Sequence, residues 1–132
     1  MRDVVVLSGV ALAVVAAACL SGCTTGRVST PRVRKVCFVA GKNSHGRTAH
    51  AHGAGLQYFA AELNAHGPGI DTVIHKGGWP EDPAFFEGAD AVVIYCDGGR
   101  RHVAMEHLDF IDGLAESGVG IGCIHYAVEI PK

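Results

Sequence analysis

The chain has 132 residues, of which 48% are hydrophobic and 18% are charged, and its formal net charge at pH 7 is −2. This length accommodates one domain, and the slightly acidic balance excludes the basic footprint of a nucleic-acid-binding protein, so no nucleic acid partner is expected. Eighteen glycines lie mostly between apolar runs, which is typical of folds with many tight turns between strands and helices.

The first segment, residues 1–22, has the composition of a lipoprotein signal peptide. Its apolar run, residues 4–19, is shorter than the roughly 20 residues of a membrane-spanning helix. The run leads into Leu20-Ser21-Gly22-Cys23, which resembles the lipobox of bacterial lipoproteins. Cys23 is therefore the expected lipidation site, and its acyl chains would anchor the protein to the cell envelope, facing the periplasm or the exterior. The alternatives are a plain signal peptide or an uncleaved anchor helix, with Cys23 incidental.

Residues 23–35 are expected to form a tether, because they hold four basic residues, a proline and several hydroxyl residues without an apolar period. The folded domain is expected over residues 36–132. Within it, Cys37, Cys96 and Cys123 lie in aliphatic runs without CxxC spacing, which favours buried free thiols over disulfides or a metal site.

The domain is predicted to alternate strands and helices. Apolar runs and helical spacings predict strands over 33–40, 70–75, 89–96 and 119–124, helices over 54–65 and 103–117, and a helical turn over 84–87. A further helix is expected to begin at Pro131 rather than directly after the fourth strand, because Ile130 precedes a proline. This order predicts an α/β fold with a doubly wound parallel sheet, and right-handed crossovers favour a flavodoxin-like strand order of 2-1-3-4.

In such sheets, ligands bind beyond the carboxyl ends of the strands, at the point where the strand order reverses. Here that point lies between the first and third strands, so the loops 41–52 and 97–102 should face it. The fourth strand delivers a histidine to the same edge. Topology alone therefore predicts a group of imidazoles beside one carboxylate, comprising His45, His50, His102, His125 and Asp97.

Four motifs resemble, in order, those of ThuA-like domains. They are residues 41–50, Gly78-Trp79-Pro80, Tyr95-Cys96-Asp97-Gly98-Gly99 and His125-Tyr126-Ala127-Val128-Glu129. The resemblance spans residues 36–132 and implies the flavodoxin-like architecture of the class I glutamine amidotransferase-like superfamily. It also implies a role in sugar metabolism, since the family is named for a link to trehalose utilisation. ThuA-like domains normally run well past this length, so the chain is expected to be C-terminally truncated.

The resemblance has two departures. In the amidotransferases of this superfamily, a Gly-x-Cys-x-Gly turn after the corresponding strand holds the nucleophile, but here that position is His125, and Cys123 lies two residues earlier. Glutamine amidotransferase activity is therefore disfavoured. Members of the family also often carry Glu where this chain has Ala51.

Histidine suits two kinds of chemistry, general acid/base catalysis near neutral pH and ligation of a transition metal. For catalysis, His125 would be the acid or base, oriented by Asp97 or Glu129, with His45 or His102 stabilising developing charge. For a divalent metal such as Zn, the candidate ligands are His45, His50, His102 and His125, with Asp97 as an oxygen ligand or an orienting partner. The sequence leaves the two alternatives open.

Other residues are candidates for binding a ligand. His50 and His102 face the expected crevice, and Trp79 would stack on a sugar ring or cap the core. Arg100 and Arg101 would grip a carboxylate or phosphate or remain solvated. His45 and His50 also have a structural interpretation, as anchors of their loop. The remaining histidines are expected on helix or strand surfaces, away from the site: His52, His66, His75 and His107.

The leading functional hypothesis is an exported lipoprotein enzyme acting on a carbohydrate or sugar derivative by hydrolysis, isomerisation or elimination at a His-lined crevice. The alternative is a non-catalytic module that binds sugar or metal within a larger sugar-processing system.

Overall fold

The computed structural model describes residues 32–47 and 49–129, and this part of the chain is built around a four-stranded parallel sheet. Its strands are β1 (Arg34–Ala40), β2 (Ile70–Lys76), β3 (Ala89–Tyr95) and β4 (Gly120–Ile124). The order across the sheet is β2-β1-β3-β4, and every neighbouring pair is parallel. The predicted α/β class and strand order are confirmed.

Two α-helices connect the strands, α1 (His52–His66) and α2 (Leu108–Glu116). Short 3-10 turns occupy Pro83–Phe86, Gly99–Arg101 and His125–Val128. Among the described residues, no helix combines the length and the apolar composition needed to cross a bilayer. The predicted signal peptide, the lipidation site Cys23 and the helix start at Pro131 lie outside the described residues.

Apolar clusters cover both faces of the sheet. Successive strand residues point to opposite faces, and Cys37, Phe38, Val39 and Ala40 of β1 are all buried. Cys37 and Val39 pack in a cluster that includes residues of α2, whereas Phe38 and Ala40 pack against α1. A strand covered on both faces reads as a continuous apolar run, which is why β1 was predictable from sequence.

The amino-terminal edge of the sheet is close to the prediction. β1 begins at Arg34, one residue after the predicted start of the first strand, and its first two residues belong to the segment 23–35 expected to be a tether. The backbone N–H of Lys35 donates to Oδ2 of Asp90 over 2.8 Å, and its Nζ donates to the carbonyl oxygen of Phe85 over 2.8 Å. These bonds hold Lys35 against the start of β3 and the turn before it, so the end of the segment expected to be a tether belongs to the sheet.

One helix boundary was predicted wrongly. α2 begins at Leu108 rather than at 103, because His102 accepts the backbone N–H of Ala104 and His107 has a non-helical φ of −130°. A 3-10 turn follows β4 directly at His125. Of the three predicted buried thiols, Cys37 and Cys96 are buried and free, whereas Cys123 is free but exposed.

Candidate functional site

The carboxyl edge of the sheet brings together the segments that follow β1, β3 and β4. The N–H of Gly41 donates to the carbonyl oxygen of Tyr95 over 2.9 Å, and the N–H of Gly99 donates to that of Glu129 over 2.8 Å. A Cβ at Gly98 would collide with the carbonyl oxygen of Tyr126 and stand 2.6 Å from Cβ of Glu129. The absence of a side chain there allows the segment after β4 to close against the segment after β3.

Asp97, directly after β3, is the centre of this edge. Its Oδ1 accepts a hydrogen bond from Oγ of Ser44 over 2.7 Å. The same oxygen lies 3.5 Å from Nδ1 of His50, 3.7 Å from Nδ1 of His45 and 3.9 Å from Nε2 of His52. One buried carboxylate therefore faces three imidazoles, two from the loop after β1 and one from the first residue of α1.

The environment of Asp97 favours its charged form. Burial raises the pKa of Asp97, but hydrogen bonds from Ser44 and His50, together with the charges of Arg101 and His45, lower it further, so that the pKa lies below its ordinary value. A guanidinium nitrogen of Arg101 lies 3.5 Å from Oδ2. Asp97 is thus a carboxylate at neutral pH, which suits it to attract a cation.

The loop after β1 folds back on itself through Ser44. The N–H of Ser44 donates to the carbonyl oxygen of His50 over 3.2 Å, and Oγ of Ser44 lies 2.9 Å from Nδ1 of His45 and 3.3 Å from Nδ1 of His50. The same nitrogen of His50 faces both Ser44 and Asp97. A serine protease triad needs two different ring nitrogens for these two partners, so the arrangement is not a Ser-His-Asp relay.

His125 follows β4 directly and so lies at the predicted edge of the sheet, beside His50. Its φ of 59° is in the left-handed region, and its ring stacks on Tyr126 with centroids 4.2 Å apart. Its edge approaches the ring of His50, with centroids 5.1 Å apart. Glu129, also predicted, lines a cavity of about 260 Å³ together with His45, Asp97, Gly98, Arg101 and Tyr126.

A second cavity of about 400 Å³ adjoins Asp97 on the side of β1 and β2. It is lined by Gly41, Lys42, Asn43, Ser44, Gly77, Gly78, Cys96, Asp97, Arg101 and Val103. The carboxylate of Asp97 therefore borders two cavities, and Arg101 lines both of them.

His102 does not join the cluster, in contrast to the predicted ligand and metal roles. Its Nε2 bonds to the carbonyl oxygen of Ala127 over 2.9 Å, and its Nδ1 accepts the N–H of Ala104 over 3.1 Å. Both ring nitrogens are thus occupied, and the side chain is buried. His102 fastens the segment after β3 to the segment after β4, and the geometry gives it no free nitrogen for a metal.

Trp79 and Arg100 also lie apart from the carboxylate. The indole of Trp79 stacks on His107 with centroids 4.8 Å apart and packs against Phe86, which corresponds to the core-capping alternative. Arg100 is exposed, and its neighbour Arg101 is the arginine that approaches Asp97.

Sequence reasoning missed two residues of the site, Ser44 and His52. Both lie in the loop 41–52 that the topology had indicated, so the loop was the available signal. His52 was expected on a surface, and this was wrong, because its side chain is fully buried. The loop after β1 lies over it, and the carbonyl oxygen of Lys42 in that loop bonds to its ring.

Three of these side chains form a candidate metal centre. Within the part of the chain that the structure describes, the ligand atoms of His45, His50 and Asp97 all lie within 4.8 Å of one another. Two imidazoles and a carboxylate are a donor set that Zn²⁺ accepts in catalytic sites. His102 and His125, the other predicted candidates, are not in this group.

Comparisons of the chain with models of protein families, with curated proteins and with solved structures find no match.

Proposed function

We propose that this chain carries a divalent transition-metal centre that acts on a carbohydrate or sugar derivative, with His45, His50 and Asp97 as ligands. The observation that carries the proposal is the convergence of their three donor atoms within 4.8 Å at the carboxyl edge of the sheet. Those donors come from the loops after β1 and β3, two neighbouring strands. Both loops lie at the carboxyl edge of the sheet, where parallel α/β sheets bind ligands.

The distances suit a shared cation. Nδ1 of His50 and Nδ1 of His45 lie 3.5 Å and 3.7 Å from Oδ1 of Asp97. Two ligands of one tetrahedral Zn²⁺ ion stand about 3.3–3.5 Å apart when each is about 2.0–2.1 Å from the metal. His50 is already at that spacing from Asp97, and the more exposed His45 lies slightly beyond it. When bound, such an ion polarises a substrate oxygen or lowers the pKa of bound water.

The residues around the ligands support proton transfer. The ring of His125 lies next to that of His50, with centroids 5.1 Å apart, and imidazole is the side chain most often used for general acid/base catalysis. Glu129 lines the cavity that holds His45 and Asp97, and Arg101 adds a positive charge beside Asp97. Hydrolysis, isomerisation and elimination of a sugar each require a proton to move next to a polarised oxygen, and His125 is the group that we assign to this step.

The resemblance to ThuA-like domains supports the sugar as substrate class. The strand order β2-β1-β3-β4 is compatible with the flavodoxin-like class to which we assign the domain. The position of the amidotransferase nucleophile is held by His125, so we do not assign glutamine hydrolysis. The lipobox ending at Cys23 supports attachment to the bacterial envelope through lipid, which would place the crevice where exported enzymes meet sugars.

The test uses the full chain, stripped of metal by a chelator and titrated with Zn²⁺ by calorimetry. We expect one equivalent of Zn²⁺ to bind, and His50→Ala to abolish this binding. Turnover of a panel of disaccharides and keto-sugars should require the metal. His125→Ala should retain metal and sugar binding but lose turnover, whereas His66→Ala, an exposed histidine at the end of α1, should change neither.

Three outcomes would contradict the proposal in different ways. Failure of the wild-type chain to bind Zn²⁺ would exclude the metal centre. Turnover that persists in chelator would favour metal-free acid/base catalysis by His125 and Asp97. Sugar binding without turnover by the wild-type chain would support the non-catalytic binding module instead.

A further inference from the structure

We propose that His52 supplies a third imidazole to this metal centre through Nε2, so that His45, His50, His52 and Asp97 together hold the cation. This inference rests on the metal centre of the proposed function. It adds a ligand from the buried side of the site, at the first residue of α1.

The hydrogen bond of the other ring nitrogen fixes the tautomer of His52. Nδ1 lies 2.8 Å from the carbonyl oxygen of Lys42. Because a carbonyl oxygen only accepts, Nδ1 must carry the hydrogen, and in the neutral ring Nε2 then carries the lone pair. An N–H bonded to a backbone carbonyl on the far side of the ring is the usual setting of a metal-ligating histidine.

Nε2 of His52 is an unpartnered buried atom. The side chain is fully buried, and within residues 32–47 and 49–129 this nitrogen has no hydrogen-bond partner. Buried polar atoms nearly always have a hydrogen-bond partner, so one without any indicates that a water, an ion or a ligand occupies the position next to it. The ring is also held in place, since it packs edge-on against Tyr95 with centroids 4.7 Å apart.

The unpartnered Nε2 of His52 faces the carboxylate of Asp97. Nε2 lies 3.9 Å from Oδ1 of Asp97, beyond hydrogen-bonding distance. In the neutral ring Nε2 carries a lone pair, so its approach to a carboxylate in a buried site is stabilised by a positive ion between them. The distance of 3.9 Å is longer than the spacing of about 3.3–3.5 Å between two ligands of a tetrahedral ion, and His52 is not among the residues whose ligand atoms lie within 4.8 Å of one another. Metal binding by all four residues therefore requires His45 and His50, which are less buried than His52, to shift toward it.

The competing explanation is that His52 only anchors the loop through Nδ1. Substitution by Asn separates the two roles, because its side-chain amide can donate to the carbonyl oxygen of Lys42 but offers nothing at the position of Nε2. A matched control is His66→Asn, which changes an exposed histidine on the same helix.

The experiment titrates the metal-free full chain with Co²⁺ and records affinity and the visible absorption of the bound ion. We expect His52→Asn to bind Co²⁺ at least about tenfold more weakly, with an altered absorption spectrum, since a ligand is lost. His66→Asn should match the wild type in both. If His52→Asn binds Co²⁺ with wild-type affinity and spectrum, His52 is not a ligand, although the metal centre itself stands.

A second measurement needs no variant. In the NMR spectrum of the Co²⁺-loaded wild-type chain, each ligating imidazole contributes one strongly shifted ring N–H signal. We expect three such signals, one of which exchanges slowly with solvent because Nδ1 of His52 is buried. Two signals would overturn the assignment of His52. Failure of the wild type to bind Co²⁺ would overturn both this inference and the metal centre.

Discussion

The hydroxyl of Ser44 donates a 2.7 Å hydrogen bond to Oδ1 of Asp97 and so ties the loop after β1 to the end of β3. Removing it by Ser44→Ala leaves a buried carboxylate oxygen with one donor fewer. Hydrogen bonds to charged groups contribute about 1.5–3 kcal/mol, so we expect the free energy of unfolding to fall by roughly that amount. Urea denaturation of the metal-free chain measures it.

Ser117 provides the control for this prediction. Its Oγ also donates over 2.7 Å, but to the carbonyl oxygen of Leu114 at the exposed end of α2. Ser117→Ala should therefore cost less than about 1 kcal/mol, because water replaces an exposed donor. Equal losses from the two variants would mean that Ser44 does not hold the site together.

Gly98 is predicted to be essential for the shape of the crevice. A Cβ there would meet the carbonyl oxygen of Tyr126 and Cβ of Glu129, and backbone cannot yield as a flexible side chain can. We expect Gly98→Ala to destabilise the fold by about 1–3 kcal/mol and to displace His125 and its neighbours. Thermal unfolding and the loss of metal-dependent activity measure the two effects.

Gly113 is the matched glycine. It lies inside α2, and a Cβ there meets no atom within 4 Å. Gly113→Ala should stabilise the domain by about 0.5–1 kcal/mol, since alanine has the higher helix propensity. A stabilising effect at both positions would contradict the close approach at Gly98.

The sheet was predictable from sequence because each strand is marked by its own short apolar run. Residues 37–40 of β1 are buried on both faces, which requires a continuous apolar run, and the order of strands and helices leaves few right-handed topologies. The same topology placed Asp97, His45, His50 and His125 at one edge. No side-chain contact was needed to reach that grouping.

The identity of the buried histidines was not predictable in this way. A histidine at the start of a helix is exposed unless another segment covers it. His52 is covered by the loop after β1, which folds back through the bridge between Ser44 and His50, and by the ring of Tyr95. His102 was predicted to belong to the site but does not, because its two ring nitrogens bond to backbone groups of Ala104 and Ala127. Both outcomes depend on long-range contacts that periodicity does not encode.

His125 is predicted to lower the stability of the fold through backbone strain while being required for turnover. Its φ of 59° is a conformation that glycine adopts without strain, and a non-glycine residue held there costs on the order of 1–3 kcal/mol. We expect His125→Gly to leave the free energy of unfolding unchanged or raise it by about 1 kcal/mol, while turnover is lost. Urea denaturation and the sugar assay measure the two. A large loss of stability would show that the ring contributes packing rather than chemistry.

Asp90 is predicted to make the stability of the fold depend on acid. The backbone N–H of Lys35 donates to Oδ2 over 2.8 Å, and Arg32 donates to Oδ1, and these bonds lower the pKa of Asp90 below its ordinary value. A carboxyl group whose pKa is lower in the folded than in the unfolded chain stabilises the fold at pH values above the unfolded pKa. That contribution disappears as the pH falls through the folded pKa, because the unfolded chain binds the proton more tightly.

Asp90→Asn removes this dependence. The variant should be less stable than the wild type at neutral pH, and the difference in free energy of unfolding should shrink as the pH is lowered below about 4, the ordinary pKa of an aspartate. Arg32→Gln removes only one of the two donors, so its acid dependence should lie between those of the wild type and Asp90→Asn. Denaturant unfolding at a series of pH values measures all three. If the difference in free energy of unfolding between wild type and Asp90→Asn stays constant with pH, the charge of Asp90 does not stabilise the fold. The contact between Lys35 and the start of β3 would then depend only on the shape of the side chain.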